Sequence, residues 1–307
     1  MKIGIIDIGS NSIRLSVYET RFDEFRILFK EKIMAGLASY VEKGALTEEG
    51  IDAACSAILE FRGILDALKI THFKVFATAS LRNIKNTEEA LARILEETGS
   101  AVEVLSGEEE AYLGYFGVME ELDLKNGVIV DIGGASTELV PFAKRNPDEC
   151  TSFPVGSLSL YKRCVKKILP SDSVMKNIQS VVEEAFDTAP LPEKSKKTIV
   201  GIGGTARAAV KLSNRYYKRS PDERTMTRDD LETLFTFLTS GKKTAIDFLL
   251  RYEADRIHTM IPGLVILRHV FDRYDAKLMV VGTYGVREGY LCRNILHKNM
   301  DTHKTGN

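Results

Sequence analysis

The chain has no long apolar run, few cysteines, no excess of charge of either sign and no low-complexity tract. Its apolar stretches are only a few residues long, far short of the about 20 that a membrane helix requires, so no membrane partner is expected. With 44% hydrophobic and 28% charged residues, a disordered chain is excluded as well. The 42 basic residues against 43 acidic ones leave a net charge of -1, which excludes a chain-wide basic field for nucleic acid. Any anion site must therefore be built locally. Cys55, Cys150, Cys164 and Cys292 are scattered without a C-x-x-C pair, so neither a zinc site nor a disulfide framework is expected, and the thiols read as buried or incidental in a reducing compartment. The five histidines fit no H-E-x-x-H pattern and are read as structural. Met1-Lys2 leads directly into the strand Ile3-Gly4-Ile5-Ile6-Asp7 without the apolar stretch and cleavage site of a signal peptide, which makes a cytoplasmic location the expectation.

What is present is length and an internal repeat. The 307 residues suffice for two domains at about 150 residues each. Shifted by 124 positions, Ile5-Ile6-Asp7-Ile8-Gly9-Ser10-Asn11-Ser12-Ile13-Arg14-Leu15 lies over Ile129-Val130-Asp131-Ile132-Gly133-Gly134-Ala135-Ser136-Thr137-Glu138-Leu139, with identity at Ile5, Asp7, Ile8, Gly9, Ser12 and Leu15. A weaker echo at offset 125 sets Val75, Ser80 and Arg82 against Val200, Thr205 and Arg207. Each half opens with an apolar strand, a Gly/Ser turn and a second strand, Arg14 to Thr20 or Thr137 to Phe142. Helical periodicity runs from Thr47, an N-cap, to Lys69 and again from Thr87 to Thr98, with strands at Phe73 to Ala77 and Val102 to Leu105. The second half has strands near Thr198 to Val200 and Lys277 to Val281. Each half reads as β-β-β-α-β-α-β-α, an α/β layer architecture with a mixed five-stranded sheet. The polar turn Asp123 to Gly127 divides the expected domains, 1–124 and 125–307, with a helix over about 295–307 as a candidate to pack back onto the first. Ala189 to Lys197 reads as a surface loop.

The two glycine turns, Gly9-Ser10-Asn11-Ser12 and Gly133-Gly134-Ala135-Ser136, place backbone N–H groups and hydroxyls where phosphate oxygens can be surrounded. Alone, each is an ordinary hairpin turn. Two copies facing across a cleft suit a ligand with several phosphates, and Asp7 and Asp131 at the turn mouths are of the type that holds Mg²⁺. Gly201-Ile202-Gly203-Gly204-Thr205 follows a strand and opens a helix, a third anion site. Its match to G-x-G-x-x-A is not a dinucleotide fold, because Tyr216 to Pro221 supplies no second strand ending in an acid. Gly241-Lys242-Lys243-Thr244 is no Walker loop either. Ser106 and Glu109 form an S-x-x-E capping box, which accounts for one glutamate of the run Glu108-Glu109-Glu110. Glu110, at a helix start leaving the sheet edge, is placed to take a proton from attacking water. Arg82 can bind phosphate through its fork of donors, and Arg287 and Thr283 are lesser candidates. The basic clusters around Lys162, Lys194 and Arg215 read as solvated faces.

With these residues in place, the chain resembles the exopolyphosphatase and guanosine pentaphosphate phosphatase family, within the larger group of acetate and sugar kinases, actin and heat-shock chaperones. The resemblance rests on Asp7-x-Gly9-Ser10-Asn11-Ser12-x-Arg14, Ala77-Thr78 through Arg82 to Asn86, Ser106-Gly107-x-Glu109-Glu110-Ala111, Asp131-Ile132-Gly133-Gly134-x-Ser136-Thr137-Glu138 and Arg287-Glu288-Gly289. It implies two duplicated ribonuclease H-like domains with an active site in the cleft between them. It further implies Glu110 as catalytic base and Asp131 and Glu138 as metal or water-positioning carboxylates, with Asp7 a further metal ligand. The two turns, with Arg14, become phosphate loops. The implied cation is Mg²⁺ or Mn²⁺, with K⁺ as an additional candidate. Ala135 stands where the family commonly has a third glycine, and the length is that of the short members, which lack the extra C-terminal helical domain.

The leading expectation is an exopolyphosphatase that releases orthophosphate from the ends of inorganic polyphosphate. The alternative is hydrolysis of guanosine pentaphosphate to the tetraphosphate. Behind these stand an ATP-dependent small-molecule kinase and a non-catalytic polyphosphate or alarmone sensor. A homodimer is allowed for.

Overall fold

The structure, a computed structural model, describes residues 1–188 and 197–298. The chain divides into two compact units, one comprising Met1–Gly117 with the described residues from Val286 onward, the other Val118–Gly285. The sequence places the boundary at 124/125 and runs the second domain to the end. The helix expected over about 295–307 lies largely outside the described residues, as does most of the loop expected at Ala189 to Lys197.

In the first unit, β1 (Lys2–Ile8), β2 (Ile13–Arg21) and β3 (Glu24–Ile33) form an antiparallel meander. Helix α1 (Glu48–Ala67) follows, then β4 (Phe73–Ala77), the short α2 (Ala79–Arg82), α3 (Thr87–Thr98), β5 (Val102–Val104) and α4 (Gly107–Glu121). The strand order is β3-β2-β1-β4-β5, with β1, β4 and β5 parallel, so the sheet is mixed and five-stranded as expected. α1 starts where its cap dictates: Thr47 Oγ1 accepts the Gly50 N–H at 3.3 Å, and Glu48 and Glu49 occupy the first turn. Its Ile51, Ala54, Cys55, Ile58, Phe61 and Leu65 recur at helical spacing and bury against Ile6, Ile8, Leu15 and Val17. The opposite sheet face meets another cluster, in which Ile3, Ile5, Tyr18 and Phe76 pack with Leu105, Leu113, Val286 and Tyr290.

The second unit repeats the plan with β6 (Asn126–Ile132), β7 (Thr137–Ala143) and β8 (Thr151–Phe153). Then come α5 (Ser157–Cys164), α6 (Asp172–Phe186), β9 (Thr198–Ile202) and α7 (Gly203–Tyr217). β10 (Thr225–Thr227), α8 (Arg228–Leu238), α9 (Lys243–Glu253), α10 (Met260–Arg273) and β11 (Leu278–Val281) complete it. Its sheet departs from five strands: β8-β7-β6-β9-β11 match the first sheet, but Asn146–Pro147 also pairs with β7, and β10 pairs antiparallel with β11, making seven. Extra helices accompany the extra strands. α10 is buried nearly all round, from Met260 to Leu267, because α5, α6, α7 and α8 enclose it. A simple count of strands and helices from the first repeat does not anticipate this enlarged core.

Cys55, Cys164 and Cys292 are buried, Cys150 is partly so, and all four are free thiols. Among the described residues, no helix is long and apolar enough to cross a membrane.

Candidate active site

The repeat seen in the sequence reappears as identical local geometry. Asp7 pairs with Arg14 and Ile8 with Ile13 across the first hairpin; 124 residues on, Asp131 pairs with Glu138 and Ile132 with Thr137. Each turn is closed by the same bond, Gly9 N–H to Ser12 O at 3.2 Å and Gly133 N–H to Ser136 O at 2.9 Å. The echo at offset 125 is equally structural: the Ser80 hydroxyl donates to Ile8 O, and the Thr205 hydroxyl donates to Ile132 O at 3.0 Å. In both units a hydroxyl from the helix after the neighbouring parallel strand holds the last strand carbonyl before the turn.

The carbonyls of both turns are held by neighbouring backbone. Gly36 N–H and Ala38 N–H donate to Asn11 O and Ser10 O, both at 2.9 Å. In the second unit Ser157 N–H donates to Gly133 O, and Leu158 and Ser159 N–H both donate to Gly134 O, each at 2.9 Å. In a trans peptide the N–H points opposite to the C=O. Pinning these carbonyls therefore aims the amides of Asn11 and Ser12, and of Gly134 and Ala135, away from the segments that hold the turns. Ala135 is not at positive φ, so its methyl group is accommodated where a glycine was expected. Arg14 Nε donates to Ser12 Oγ at 3.0 Å, bracing the first turn from its second strand.

The predicted capping box is formed: Ser106 N–H donates to Glu109 Oε2 at 2.8 Å and Glu109 N–H to Ser106 Oγ at 3.1 Å. With Glu109 thus used at an exposed position, Glu110 turns inward and is 8% exposed. Arg82, read from the sequence as a phosphate ligand, is engaged here by Glu110: its Nη1 lies 2.8 Å from Glu110 Oε2 and 2.9 Å from Leu105 O. This pair was missed because the two residues lie 28 apart, and only the adjacency of β4 and β5 brings their following segments together. Asn86, from the same motif, serves the fold, exchanging two hydrogen bonds of 2.9 Å with the backbone of Leu46.

In the second unit, Asp131 and Glu138 stand directly opposite on adjacent antiparallel strands, which puts both carboxylates on one sheet face at about 5 Å between Cβ atoms. Glu138 is 3% exposed and accepts from Ser152 Oγ at 2.8 Å. Two like charges so placed favour a cation, and their hard oxygen donors suit Mg²⁺, which commonly takes one or two carboxylates plus phosphate oxygens and water. Among the described residues no group of three or more His, Cys, Asp or Glu side chains forms a self-sufficient metal cage. The pair is of the type that holds a divalent cation together with phosphate oxygens and water. Gly203, at φ 75°, opens α7 beside Asp131, where a Cβ would fall 2.1 Å from Oδ1, so this close approach requires glycine. The sequence did not point to Arg256, whose guanidinium lies so close to Gly204 that a Cβ there would meet Nη2 at 2.1 Å. The guanidinium thus stands beside the positive end of α7, with Glu253 Oε2 at 3.5 Å as its counter-charge.

Asp7 occupies the place of Asp131 in a different electrostatic setting. Across the hairpin it meets Arg14 instead of a second acid, and Arg287 Nε lies 3.7 Å from its Oδ2. Burial raises its pKa above the ordinary carboxylate value, while Arg287 and Arg14 pull in the opposite direction. Thr283 is held elsewhere, its N–H and hydroxyl both donating to Glu121 at 2.7 Å. Of the basic clusters, Arg219 is tied to Asp230 by two bonds of 2.8 Å, and Lys194 lies outside the described residues.

Two hairpin units of β-β-β-α-β-α type, each with a braced glycine turn, define the duplicated ribonuclease H-like, actin-like α/β class. The comparisons with known proteins carry this to a family. The model of the Ppx/GppA phosphatase family matches residues 16–298. Exopolyphosphatase 1 of Mycobacterium tuberculosis is 26% identical over 311 residues, covering 96% of this chain and 88% of that protein. The bifunctional 3-dehydroquinate synthase/phosphatase of Fusobacterium nucleatum is 26% identical over 302 residues, 90% of this chain and 44% of that protein. Among solved structures, the Aquifex aeolicus member of the Ppx/GppA family superposes with a TM-score of 0.78 at 27% identity over 99% of both chains. An exopolyphosphatase of Cytophaga hutchinsonii shares the fold, with a TM-score of 0.84 at 23% identity over 97% of this chain and 98% of that one. The chain belongs to the Ppx/GppA phosphatase family and is a hydrolase acting on phosphoanhydride bonds.

Proposed function

We propose that the protein is an exopolyphosphatase, releasing orthophosphate from the end of inorganic polyphosphate by attack of water that Glu110 deprotonates. The observation that carries this reading is the buried carboxylate of Glu110, fixed by Arg82 at 2.8 Å at the start of α4. A general base must be held in one place to act on one proton, and an ion pair with a second anchor on Leu105 O does that. The amides of both turns, the N-terminus of α7 with Gly203, Gly204 and Thr205, and the charges of Arg14, Arg256 and Arg287 supply the phosphate contacts. Asp131 and Glu138 would hold Mg²⁺ or Mn²⁺, with Asp7 a third candidate, and the cation when bound neutralises charge on the phosphates. Positioning and charge neutralisation thus account for most of the catalysis.

Support comes from the family and from the name of the Mycobacterium tuberculosis relative. Guanosine pentaphosphate is the second reading, because it needs the same chemistry at its terminal phosphate. Orthophosphate release from defined-length polyphosphate and from guanosine pentaphosphate, run alone and in competition at matched phosphate concentration with Mg²⁺, ranks the two. Polyphosphate is expected to be the preferred substrate; preferential turnover of the nucleotide would reverse the order. Asp131→Asn and Glu138→Gln are each expected to raise the Mg²⁺ concentration for half-maximal activity by about tenfold or more, the scale of a lost charge-assisted contact. An unchanged Mg²⁺ titration would remove that residue from the cation.

A further inference from the structure

Of the two charged residues in the motif Arg287-Glu288-Gly289, the reaction above gives Glu288 no task. Glu288 is 1% exposed, and its Oε1 accepts from the Tyr18 hydroxyl at 2.9 Å and from Lys30 Nζ at 2.9 Å. It belongs to α11 (Val286–Tyr290), which lies on the face of the first sheet where Asp7, Arg14, Ser16 and Tyr18 alternate along β1 and β2. Lys30 is the β3 neighbour of Ser16 on that face. One residue before Glu288, Arg287 Nη1 donates to Ser16 Oγ at 2.8 Å, with Nε 3.7 Å from Asp7 Oδ2. Two adjacent residues of opposite charge thus reach two successive inward positions of β2.

Among these groups and Lys32, the β3 neighbour of Arg14, four are cations (Arg14, Lys30, Lys32 and Arg287) and two are anions (Asp7 and Glu288). Arg287 lies 3.7 Å from the Asp7 carboxylate and directly precedes Glu288 in the chain. If the charge of Glu288 is removed, Asp7 is the sole anion of the group, and Arg287 is drawn onto it. Asp7 is then withdrawn from the mouth of the turn Gly9-Ser10-Asn11-Ser12. Stability alone is a weak reason for such an arrangement, since a buried ion pair is often no more stable than apolar residues of the same volume. Burial and the neighbouring carboxylate also keep the Tyr18 hydroxyl protonated, so it remains a donor to Glu288.

We propose that Glu288, held by Tyr18 and Lys30, is a positioning residue that keeps Arg287 and Asp7 in the arrangement in which the first turn binds phosphate. This rests on the reading of that turn as a phosphate site, and its test separates the two. Binding of tripolyphosphate in EDTA, where no turnover is expected, is measured by calorimetry for the wild type, Glu288→Gln, Glu288→Asp and Tyr18→Phe, alongside thermal melting. The expected result is about tenfold weaker binding for Glu288→Gln, the scale of one hydrogen bond to a charged group. Recovery to within about threefold is expected for Glu288→Asp, with an intermediate loss for Tyr18→Phe. In turnover with Mg²⁺, Glu288→Gln should raise KM with little change in kcat, the signature of lost uniform binding. A merely structural role would lower the folded fraction, and with it kcat, and leave both KM and the dissociation constant of the folded protein unmoved. Wild-type affinity in Glu288→Gln overturns the proposal; should that variant not fold, wild-type affinity in Tyr18→Phe does so. Failure of the wild type to bind tripolyphosphate also overturns it. Binding without phosphate release from any substrate sinks the exopolyphosphatase reading and leaves the positioning role of Glu288 standing.

Discussion

Glu110→Gln is expected to lower orthophosphate release by about 10²- to 10⁴-fold, the usual contribution of a positioned general base. The amide is nearly isosteric with the carboxylate and its oxygen can still accept from Arg82, so the change removes the proton acceptor with little change of shape. The helix start does not depend on Glu110, because the capping box is made by Ser106 and Glu109. Circular dichroism should therefore stay close to wild type, while the melting temperature should fall somewhat, because the mostly buried Arg82 loses its counter-charge. Glu109→Gln is the matching control on the neighbouring residue. It can keep the capping contact through its own side-chain oxygen, and a capping contact is typically worth about 1 kcal/mol, so turnover should be unaffected. A Glu110→Gln protein that turns over like the wild type would remove Glu110 from the chemistry, and the base would have to be sought elsewhere.

Gly289→Ala is expected to destabilise the first unit strongly. A Cβ at Gly289 would stand 1.9 Å from the carbonyl oxygen of Leu113, 2.7 Å from its carbon and 3.1 Å from the nitrogen of Gly117. These are backbone atoms of α4, which cannot rotate aside as a side chain can. Overpacking commonly costs about 1–3 kcal/mol, and a clash with helix backbone belongs at or above the upper end of that range. Urea denaturation should show the loss, and because α4 carries Glu110 and α11 carries Arg287 and Glu288, activity should fall with it. Gly63→Ala is the contrasting case. It lies inside α1 with nothing within 4 Å of the added carbon, so a gain of about 0.5–1 kcal/mol is expected from helix propensity. Equal stability of Gly289→Ala and wild type would mean that α11 and α4 do not touch along their backbones.

Much of the fold was legible where periodicity and caps act within a few residues. The limits of β4 and α3 match the sequence reading to the residue, and α1 begins at its predicted cap. The duplicated turns were legible because the repeat preserves the residues that make them, and even the faint echo of Ser80 and Thr205 proved to be one hydrogen bond occurring twice. The difference between the hairpins was also written in the sequence, since offset 124 sets Arg14 against Glu138. Its meaning, one aspartate facing a cation and the other facing an acid, became visible only with the strand register.

The remainder was not legible. The contact of Arg82 with Glu110, 28 residues away, had no local signal; Glu288 meets Tyr18 across 270 residues; Arg256 reaches the start of α7 from a segment with no recognisable motif. By itself, then, the sequence determined the α/β class, the duplication, the positions of the glycine turns and the capping of the Glu110 helix, because each depends on interactions between residues near one another in the chain. Tertiary structure alone decided which charge faces which, how many strands and helices the second unit adds, and that the segment from Val286 packs with the first unit. Those pairings are set by sheet register and helix packing between distant segments, for which no local pattern in the chain provides a signal.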